Sequence, residues 1–418
     1  MKRYEKYKPT GIQWLPEIPE HWNNSKIKSH FRLRATKVSD KEYSALSVSK
    51  NGITPQLDSS VKTDNGDNRK LVKSGDFVVN SRSDRKGSCG ISSLDGSVSL
   101  INIVLEPIDG FGLFYHHLFR SNNYIEEFYR NGRGIVSDLW TTRWNEMSSI
   151  EIPFPPIDEQ KHIAAYLDKR ITLIENCKCQ RERELQTLNE LKQAEIASVV
   201  TRGLNPDVPM KDSGIPWIGQ IPAHWNMIRI KNLLVESKVK STDGHEQSLS
   251  LSKASGIIPY EEKENRTMQS ESLIGAKVVH PGDVVFNRFK ARLFAISTHN
   301  GVVSSDYAVY KGKGRANLNY LVSLFSTEMY RAAFDRKASG IGDGFSRLYT
   351  ADLFAMYAIF PPIEEQNAIV EYIESKTNKI DTMIEALKAE IDRLTEYKQR
   401  LISDVVTGQI DVRGEQIQ

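Results

Sequence analysis

The sequence predicts an α+β protein made of two copies of one module, each a mixed α/β domain followed by a long helix. Three observations predict this fold class. A phrase of the first half recurs in the second, each half contains short β-like runs such as GDFVVN (Gly75–Asn80) and GDVVFN (Gly282–Asn287), and each half ends in a helical pattern. A Pro-Pro pair separates the two parts at 155–156 and again at 361–362. The predicted order is therefore domain, helix, domain, helix.

The internal repeat extends over most of the chain. Thr10–Lys28 aligns with Ser213–Lys231 at an offset of 203, with ten identities in nineteen positions. The register resumes at FPPIDEQ (Phe154–Gln160) and FPPIEEQ (Phe360–Gln366). A period of about 206 residues is far longer than the 20 to 50 residues of a solenoid repeat, so the repeat indicates a duplicated domain.

This duplication predicts four segments. They are a first mixed domain at 1-154, a central helical segment at 155-206, a second mixed domain at 207-360 and a C-terminal helical segment at 361-418.

Both long helices carry an apolar stripe of heptad spacing. In the second copy the stripe consists of Ile373, Ile380, Ile384, Leu387, Ile391, Leu394, Leu401 and Val405. A single stripe of this kind could pack on its own domain, but two matching stripes favour a coiled-coil pair, antiparallel or crossed. Polar residues interrupt the seam, among them Arg181, Lys192, Glu195 and Lys398. They could face solvent, face a partner protein or pair with acidic residues of the other helix.

Composition limits the class of protein. Lys and Arg number 56 against 53 Asp and Glu, a net charge of +3, so any strongly basic surface must be local. The three cysteines, Cys89, Cys177 and Cys179, do not form a disulfide framework, which indicates a reducing compartment. The sequence has no apolar run long enough to cross a bilayer. We therefore expect a soluble cytoplasmic protein that does not bind membranes.

The sequence contains no convincing catalytic motif. FPPI resembles the Asn/Asp-Pro-Pro-Tyr/Phe motif of amino-methyltransferases, but Phe154 has no polar carbonyl to hold an amine and Ile157 no ring to stack on a base. No phosphate-binding glycine loop and no zinc-spaced histidines are present. His21 and His224 lie in the repeated phrase, where packing or capping is a more ordinary role than general base catalysis. We therefore predict that the chain is not an enzyme.

Basic residues on loop-like stretches are the remaining candidates for a binding site. Those of the first half are Arg82, Arg85, Lys86, Arg133 and Arg143, and those of the second half are Arg288, Lys290, Arg292 and Arg347. Arg and Lys side chains bind nucleic-acid phosphates, and Arg also reads base edges. Any single one could belong to a solvated loop. Basic residues directly after both Asn80 and Asn287, however, favour a DNA-binding role for the region.

Taken together, these motifs carry a family resemblance. The chain has IPxHW at Ile18–Trp22 and Ile221–Trp225, GDxVxN in both halves, and PPIxEQ followed by heptads in both halves. It resembles the specificity subunit of a type I restriction-modification system over nearly its whole length. The resemblance implies target recognition domains at 1-154 and 207-360. It also implies helical spacers at 155-206 and 361-418 that pack as an antiparallel coiled coil with pseudo-two-fold symmetry.

The resemblance further implies a non-catalytic subunit that reads a bipartite, asymmetric site in double-stranded DNA. Two modification (methyltransferase) subunits, which use S-adenosylmethionine, and two restriction (translocase/nuclease) subunits, which use ATP and Mg, would dock on it, and this chain would bind no cofactor. The stretches around the Pro-Pro boundaries and the helices match between the halves, whereas SRSDRKGSCGISS and RFKARLFAISTHN do not, as expected if each half reads a different part of the site. A self-sufficient methyltransferase or nuclease, and a protein-binding scaffold, remain the alternatives.

The repeated phrase itself is expected to be shared structure. Because it is nearly the same in both halves, it is a poor candidate for reading two different sequences. We interpret Trp14, Trp22, Trp217 and Trp225 as anchors of the entry segment of each domain.

Overall fold

The structure is a computed structural model that describes residues 2–56, 66–134, 140–252, 255–263, 272–289, 293–340 and 346–416. The chain forms two compact units. Unit 1 consists of Met1–Glu182 and Lys388–Gln418, and unit 2 of Arg183–Leu387. Each unit thus contains one of the predicted mixed domains together with part of both long helices. Since the units divide both helices, the four sequence segments proposed above stay a prediction.

Unit 1 begins with thirteen strands and three short helices in its described part. The strands are β1 (Tyr7–Ile12), β2 (Leu15–Pro19), β3 (Asn23–Lys26), β4 (Phe31–Leu33), β5 (Lys37–Val38), β6 (Leu46–Ser49), β7 (Gly52–Pro55), β8 (Arg69–Val72), β9 (Phe77–Asn80), β10 (Cys89–Ile91), β11 (Gly96–Val98), β12 (Asn102–Pro107) and β13 (Glu151–Phe154). The helices are α1 (Gly112–Leu118), α2 (Asn122–Arg130) and α3 (Trp144–Met147), and the long α4 (Ile157–Arg202) follows.

The central sheet of unit 1 is antiparallel, with the strand order β4-β12-β9-β10. Its middle strand β9 has the buried run Phe77, Val78 and Val79, which explains the apolar GDFVVN signal. The strands β5, β8 and β11 form a second sheet. Helix α1 packs against β10, and its aromatic residues enter the core of the unit.

Unit 2 has the same plan. Its strands are β14 (Met210–Asp212), β15 (Gln220–Pro222), β16 (Asn226–Arg229), β17 (Leu234–Glu236), β18 (Leu249–Ser252), β19 (Gly256–Pro259), β20 (Lys277–Val279), β21 (Val284–Asn287), β22 (Phe294–Ile296), β23 (Gly301–Val303), β24 (Tyr307–Gly312), β25 (Ser339–Gly340), β26 (Ser346–Arg347) and β27 (Tyr357–Phe360). Its helices are α5 (Leu318–Phe325), α6 (Glu328–Lys337), α7 (Thr350–Ala355) and the long α8 (Ile363–Val406).

The central sheet of unit 2 has the order β17-β24-β21-β22, strand for strand the equivalent of the sheet in unit 1. The registers correspond as well: Val79 lies opposite Ile103 in unit 1, and Phe286 lies opposite Ala308 in unit 2. The predicted duplication is therefore confirmed at the level of strand order and pairing.

The two long helices run antiparallel within each unit. In unit 1, Lys398 Nζ lies 2.6 Å from Glu175 Oε1, and Arg181 Nε lies 3.1 Å from Glu390 Oε1. The residue further along α4 thus has its partner earlier in α8. The predicted pairing of the helices is confirmed, and antiparallel is the alternative that the structure selects.

Unit 2 contains the matching contacts. Lys192 Nζ lies 2.6 Å from Asp381 Oδ1, and the Tyr372 hydroxyl donates to Glu195 Oε1 at 2.5 Å. The Lys192–Asp381 pair and the Lys398–Glu175 pair occupy equivalent positions of the repeat, 206 residues apart. The polar interruptions of the apolar seam are therefore partners across the helix pair, which was one of the three options left open by the sequence.

None of the helices in the described part of the chain combines the length and the apolar composition that a membrane span requires.

Candidate nucleic-acid interface

The repeated IPxHW phrase is part of the scaffold of each unit. Trp22 and Trp225 are fully buried, and Trp14 and Trp217 pack against the same cores. This position agrees with the interpretation of the tryptophans as anchors.

The histidine of the phrase contacts the acidic residue of PPIxEQ in both units. His21 Nε2 lies 2.8 Å from Glu159 Oε2, and His224 Nε2 lies 2.6 Å from Glu365 Oε1. Glu159 also accepts from the hydroxyl of Tyr4, whereas Glu365 accepts from the indole N–H of Trp225 at 2.8 Å. The pair ties the start of each domain to the start of its long helix.

The glutamine of PPIxEQ is buried and makes the same two hydrogen bonds in both units. The amide oxygen of Gln160 accepts from the backbone N–H of Phe111 at 2.8 Å, just before α1, and its amide nitrogen donates to the carbonyl of Pro155. Gln366 repeats this with the N–H of Asn317 at 2.9 Å and the carbonyl of Pro361. Both motifs of the repeat thus have structural partners, and the candidate binding residues lie elsewhere.

In unit 1, the structure brings two of the predicted basic residues together through Thr141. The backbone of Thr141 forms antiparallel bridges to Arg133 on one side and to Arg82 on the other. Arg133 accepts from the Thr141 N–H at 3.0 Å and donates back at 2.9 Å. Residues that are about fifty positions apart in sequence therefore lie on neighbouring extended segments at the end of β9.

The side chains of these residues remain accessible. Arg82 pairs with Asp84 at 3.0 Å and is 46% exposed, whereas Arg133 is 83% exposed with Glu146 at 3.3 Å from its Nε. Arg85, 65% exposed, lies in the short 3-10 helix Ser83–Arg85 that follows β9. Exposed ion pairs of this kind contribute at most about 1 kcal/mol, so all three guanidinium groups could exchange their acidic partner for a phosphate.

Lys86 and Arg143 differ in how firmly they are held. The Lys86 ammonium lies 3.0 Å from Glu126 Oε1 and 3.8 Å above the ring of Tyr129. Arg143 is exposed, and its backbone bonds at the start of α3: the N–H donates to Glu146 at 3.2 Å, and the carbonyl accepts from the N–H of Met147 at 2.9 Å. Within the described residues, the guanidinium of Arg143 has neither an ion pair nor a hydrogen bond.

In unit 2, Arg288 directly follows β21 but is not an exposed loop residue. Its side chain is 11% exposed and donates to the carboxylate of Glu236 at the end of β17. The same carboxylate has Lys277 Nζ at 3.3 Å. Burial alone would raise the pKa of Glu236, but a hydrogen bond from Thr350 and the charges of Arg288 and Lys277 hold it below its usual range.

The other candidates of unit 2 fall into two groups. Arg347 lies in β26, and its guanidinium is 5.4 Å from the ring centre of Phe289 and 5.4 Å from that of Tyr349. Lys290 and Arg292 lie outside the described residues. All nine basic candidates stay predictions, seven of which now have a defined environment.

Three curated proteins are similar to this chain in sequence. The chain is 25% identical over 282 residues to the putative type I restriction enzyme MjaX specificity subunit of Methanocaldococcus jannaschii, covering 64% of this chain and 61% of that protein. It is 23% identical over 283 residues to the MjaVIII specificity subunit of the same organism, covering 64% and 63%. It is 22% identical over 335 residues to the EcoDI specificity subunit of Escherichia coli, covering 73% and 72%.

The matched region thus spans less than two thirds of the length of the two M. jannaschii relatives. The chain is therefore similar in sequence to specificity subunits of type I restriction enzymes. No protein-family model matches it.

The fold of this chain also occurs in a solved structure. A chain from work on the structural basis of complex assembly and conformational transition of the type I R-M system has a TM-score of 0.69 at 15% identity, covering 94% of this chain and 99% of that one. This confirms the predicted fold class of two mixed α/β domains, each followed by a long helix.

Two members of the cluster around Arg288 were not predicted from the sequence. Glu236 and Lys277 lie 52 and 11 residues before Arg288 on other strands, and neither stands in a basic or aromatic stretch. The only available signal was the divergence of the halves: the positions of Glu236 and Arg288 in the second copy align with Leu33 and Ser81 in the first.

Proposed function

We propose that this chain is the DNA-reading subunit of a type I restriction-modification complex and that each unit reads one part of a bipartite, asymmetric site in double-stranded DNA. The observation that supports this most is the contrast within the repeat. The strand order, the His–Glu contact between IPxHW and PPIxEQ and the two hydrogen bonds of the glutamine are the same in both units, whereas the basic residues after β9 and β21 have different partners. A common scaffold with different basic surfaces is what reading two different half-sites requires.

Unit 1 offers the more open basic surface. The exposed guanidinium groups of this surface belong to Arg82, Arg85, Arg133 and Arg143. The segments of Arg82 and Arg133 both pair with Thr141, and Arg143 follows Thr141 by two residues. Exposed Arg side chains can bind phosphates and, when they reach a major groove, pair with guanine. We assign these four residues to the half-site read by unit 1.

The helices are proposed to carry the partner subunits. Leu191 in unit 2 is 52% exposed and Tyr397 in unit 1 is 41% exposed, and they occupy equivalent positions of the repeat. Large apolar residues exposed at matching places of two helices favour two equivalent docking sites. We propose that two modification subunits dock there and that two restriction subunits join the larger complex, which acts in the cytoplasm.

This chain is proposed to supply recognition without catalysis. S-adenosylmethionine, ATP and Mg would be bound by the partner subunits and none of them by this chain.

The test is a binding selection on the chain copurified with its methylating partner. A random duplex library, enriched over several rounds, should yield one motif in two parts with a gap of fixed length. The selected duplex should bind about a thousandfold or more tightly than a scrambled duplex of the same composition at the same salt concentration. Equal binding of both duplexes would contradict the proposal.

Arg143→Ala tests the assignment to unit 1, with Arg32→Ala as the matched control. Both side chains are exposed and belong to unit 1, but Arg32 lies in β4 of the repeated sheet. A phosphate or base contact by Arg143 should lower affinity severalfold when removed, and the Arg32 variant should bind as the wild type does. Equal behaviour of the two variants would refute the role given to Arg143.

A further inference from the structure

Unit 2 contains a cluster of three cations around a single carboxylate. Arg288 and Lys277 both contact Glu236, as described above. Arg347 is the third cation. The backbone N–H of Leu348 donates to the carbonyl of Arg288 at 3.0 Å, which fixes Arg347 beside the segment that carries Arg288. The four side chains come from four different strands or their ends, so the fold assembles this cluster.

The cluster has an excess of positive charge. Lys277, Arg288 and Arg347 carry three positive charges, and Glu236 carries one negative charge. Burial lowers the pKa of Lys277, and repulsion from Arg288 and Arg347 lowers it further, against the attraction of Glu236. A group of cations that repel one another in a half-buried place is stabilised when an anion joins them.

The cluster also has hydrogen-bond donors without acceptors. The Nε–H groups of Arg288 and Arg347 are both buried, and neither has a hydrogen-bond partner within the described residues. A buried donor left unpaired is costly, and native structures rarely retain one without a reason such as an absent ligand.

Aromatic rings hold Arg347 in place while leaving its donors unused. Its guanidinium lies 5.4 Å from the ring centres of both Phe289 and Tyr349, and Tyr349 is itself 43% exposed. Ring contacts of this kind orient a guanidinium without occupying its N–H groups. The two rings thus orient the guanidinium of Arg347, whose Nε–H has no acceptor within the described residues.

We propose that Lys277, Arg288 and Arg347 form a binding site for a backbone phosphate of double-stranded DNA, an assignment that rests on the proposed DNA-reading function. A phosphodiester supplies one negative charge and several acceptor oxygens, which meets both the charge excess and the unpaired donors. Arg347 is the contacting residue. Glu236 is a positioning residue, because it holds Arg288 and Lys277 on one side of the site.

The site is specific to unit 2. The positions of Glu236 and Arg288 are occupied in unit 1 by Leu33 and Ser81. The lysine equivalent to Lys277 is Lys70, and it donates instead to the backbone carbonyl of Asn102 at 2.6 Å. Unit 1 therefore cannot build the same cluster, and the phosphate contact distinguishes the two halves.

The experiment measures duplex binding by the full chain, copurified with its methylating partner, between about 50 and 200 mM salt. The duplexes are the selected bipartite duplex and its scrambled form. Arg347→Ala should weaken binding of both by the same factor, roughly tenfold, and should reduce the slope of log affinity against log salt by about 1. Arg347→Lys keeps the charge, so its salt slope should stay near that of the wild type.

Arg229→Ala is the matched control. Arg229 is an exposed arginine of the same unit that also stacks on a ring, that of Tyr357 at 5.4 Å, but it lies in β16 outside the cluster. Its loss removes one charge, one ring contact and the hydrogen bond from Nε to the Tyr357 hydroxyl at 3.1 Å, and it should leave both affinities and the salt slope unchanged.

Several results would overturn the assignment. A loss confined to the selected duplex would make Arg347 a base-reading residue, and unchanged binding would remove it from the interface. Stabilisation by inorganic phosphate together with unchanged duplex binding would mean that the cations hold a free anion.

One further result would separate the two proposals. If the wild type failed to prefer the selected duplex while Arg347→Ala still lost affinity for both, the phosphate site would stand and the proposed sequence reading would fall.

Discussion

Replacing Gln366 by Met should destabilise unit 2 without impairing DNA binding. Met has a similar volume but cannot form the two hydrogen bonds of the Gln366 amide, so the half-buried N–H of Asn317 and the buried carbonyl of Pro361 lose their partner. Each unsatisfied group costs about 1–3 kcal/mol, so the pair costs about 2–6 kcal/mol. Because the Asn317 N–H is only half-buried, we expect a value in the lower part of that range, about 3 kcal/mol. A domain of this size loses about 2–4 °C of melting temperature per kcal/mol.

Differential scanning calorimetry should therefore show a transition lowered by about 6–12 °C. Gln186→Met is the matched control, since Gln186 lies exposed on the part of α4 in unit 2 and makes one hydrogen bond to Glu190. It should change stability by no more than about 0.5 kcal/mol. The folded Gln366 variant should keep its duplex affinity. A wild-type melting temperature would refute the structural role assigned to PPIxEQ. A loss of duplex affinity in the folded variant would refute it as well.

Three further predictions concern the helix pair, the C-terminal tail and the thiols. Lys192→Asp should cost about 1 kcal/mol, and adding Asp381→Lys should restore most of it, as measured by a double-mutant cycle in urea; strictly additive losses would contradict a direct pair. Gly408→Ala should destabilise unit 1 more than Gly11→Ala. Both glycines have φ near +75°, so the backbone strain of an alanine is similar at the two positions. A Cβ on Gly408 would clash with the ring of Pro19, whereas a Cβ on Gly11 would have no atom within 4 Å. Equal urea midpoints of the two variants would rule out tight packing of the tail. Iodoacetamide at pH 8 should modify exposed Cys179 quickly and Cys89 only after unfolding, because burial raises the Cys89 pKa to about 12; rapid labelling of Cys89 would contradict its burial.

Local patterns account for the elements that the sequence predicted well. Heptad spacing and a Pro-Pro start are properties of neighbouring residues, and both long helices begin directly after their proline pair, at Ile157 and Ile363. The repeat predicted the shared sheet because similar apolar runs, FVV in β9 and VVF in β21, form equivalent central strands.

Contacts between distant residues account for what the sequence left open. Whether Lys398 faces solvent or an acid depends on Glu175, 223 residues away, and so on the register of two antiparallel helices. Arg288 looked like its basic neighbours in sequence, but the strand pairing places it beside Glu236 and buries it. Composition describes how many charges a loop has, whereas the fold decides which of them already have a partner.

The most direct test of the account is to ask whether altering one unit changes one half of the recognised site. The binding selection described above would be repeated with a chain carrying Arg133→Ala and Arg143→Ala, both in unit 1. We expect a two-part motif for the wild type and, for the variant, weakened base preference in one half with the other half and the gap unchanged. A single continuous motif, or an equal loss of preference in both halves, would contradict it.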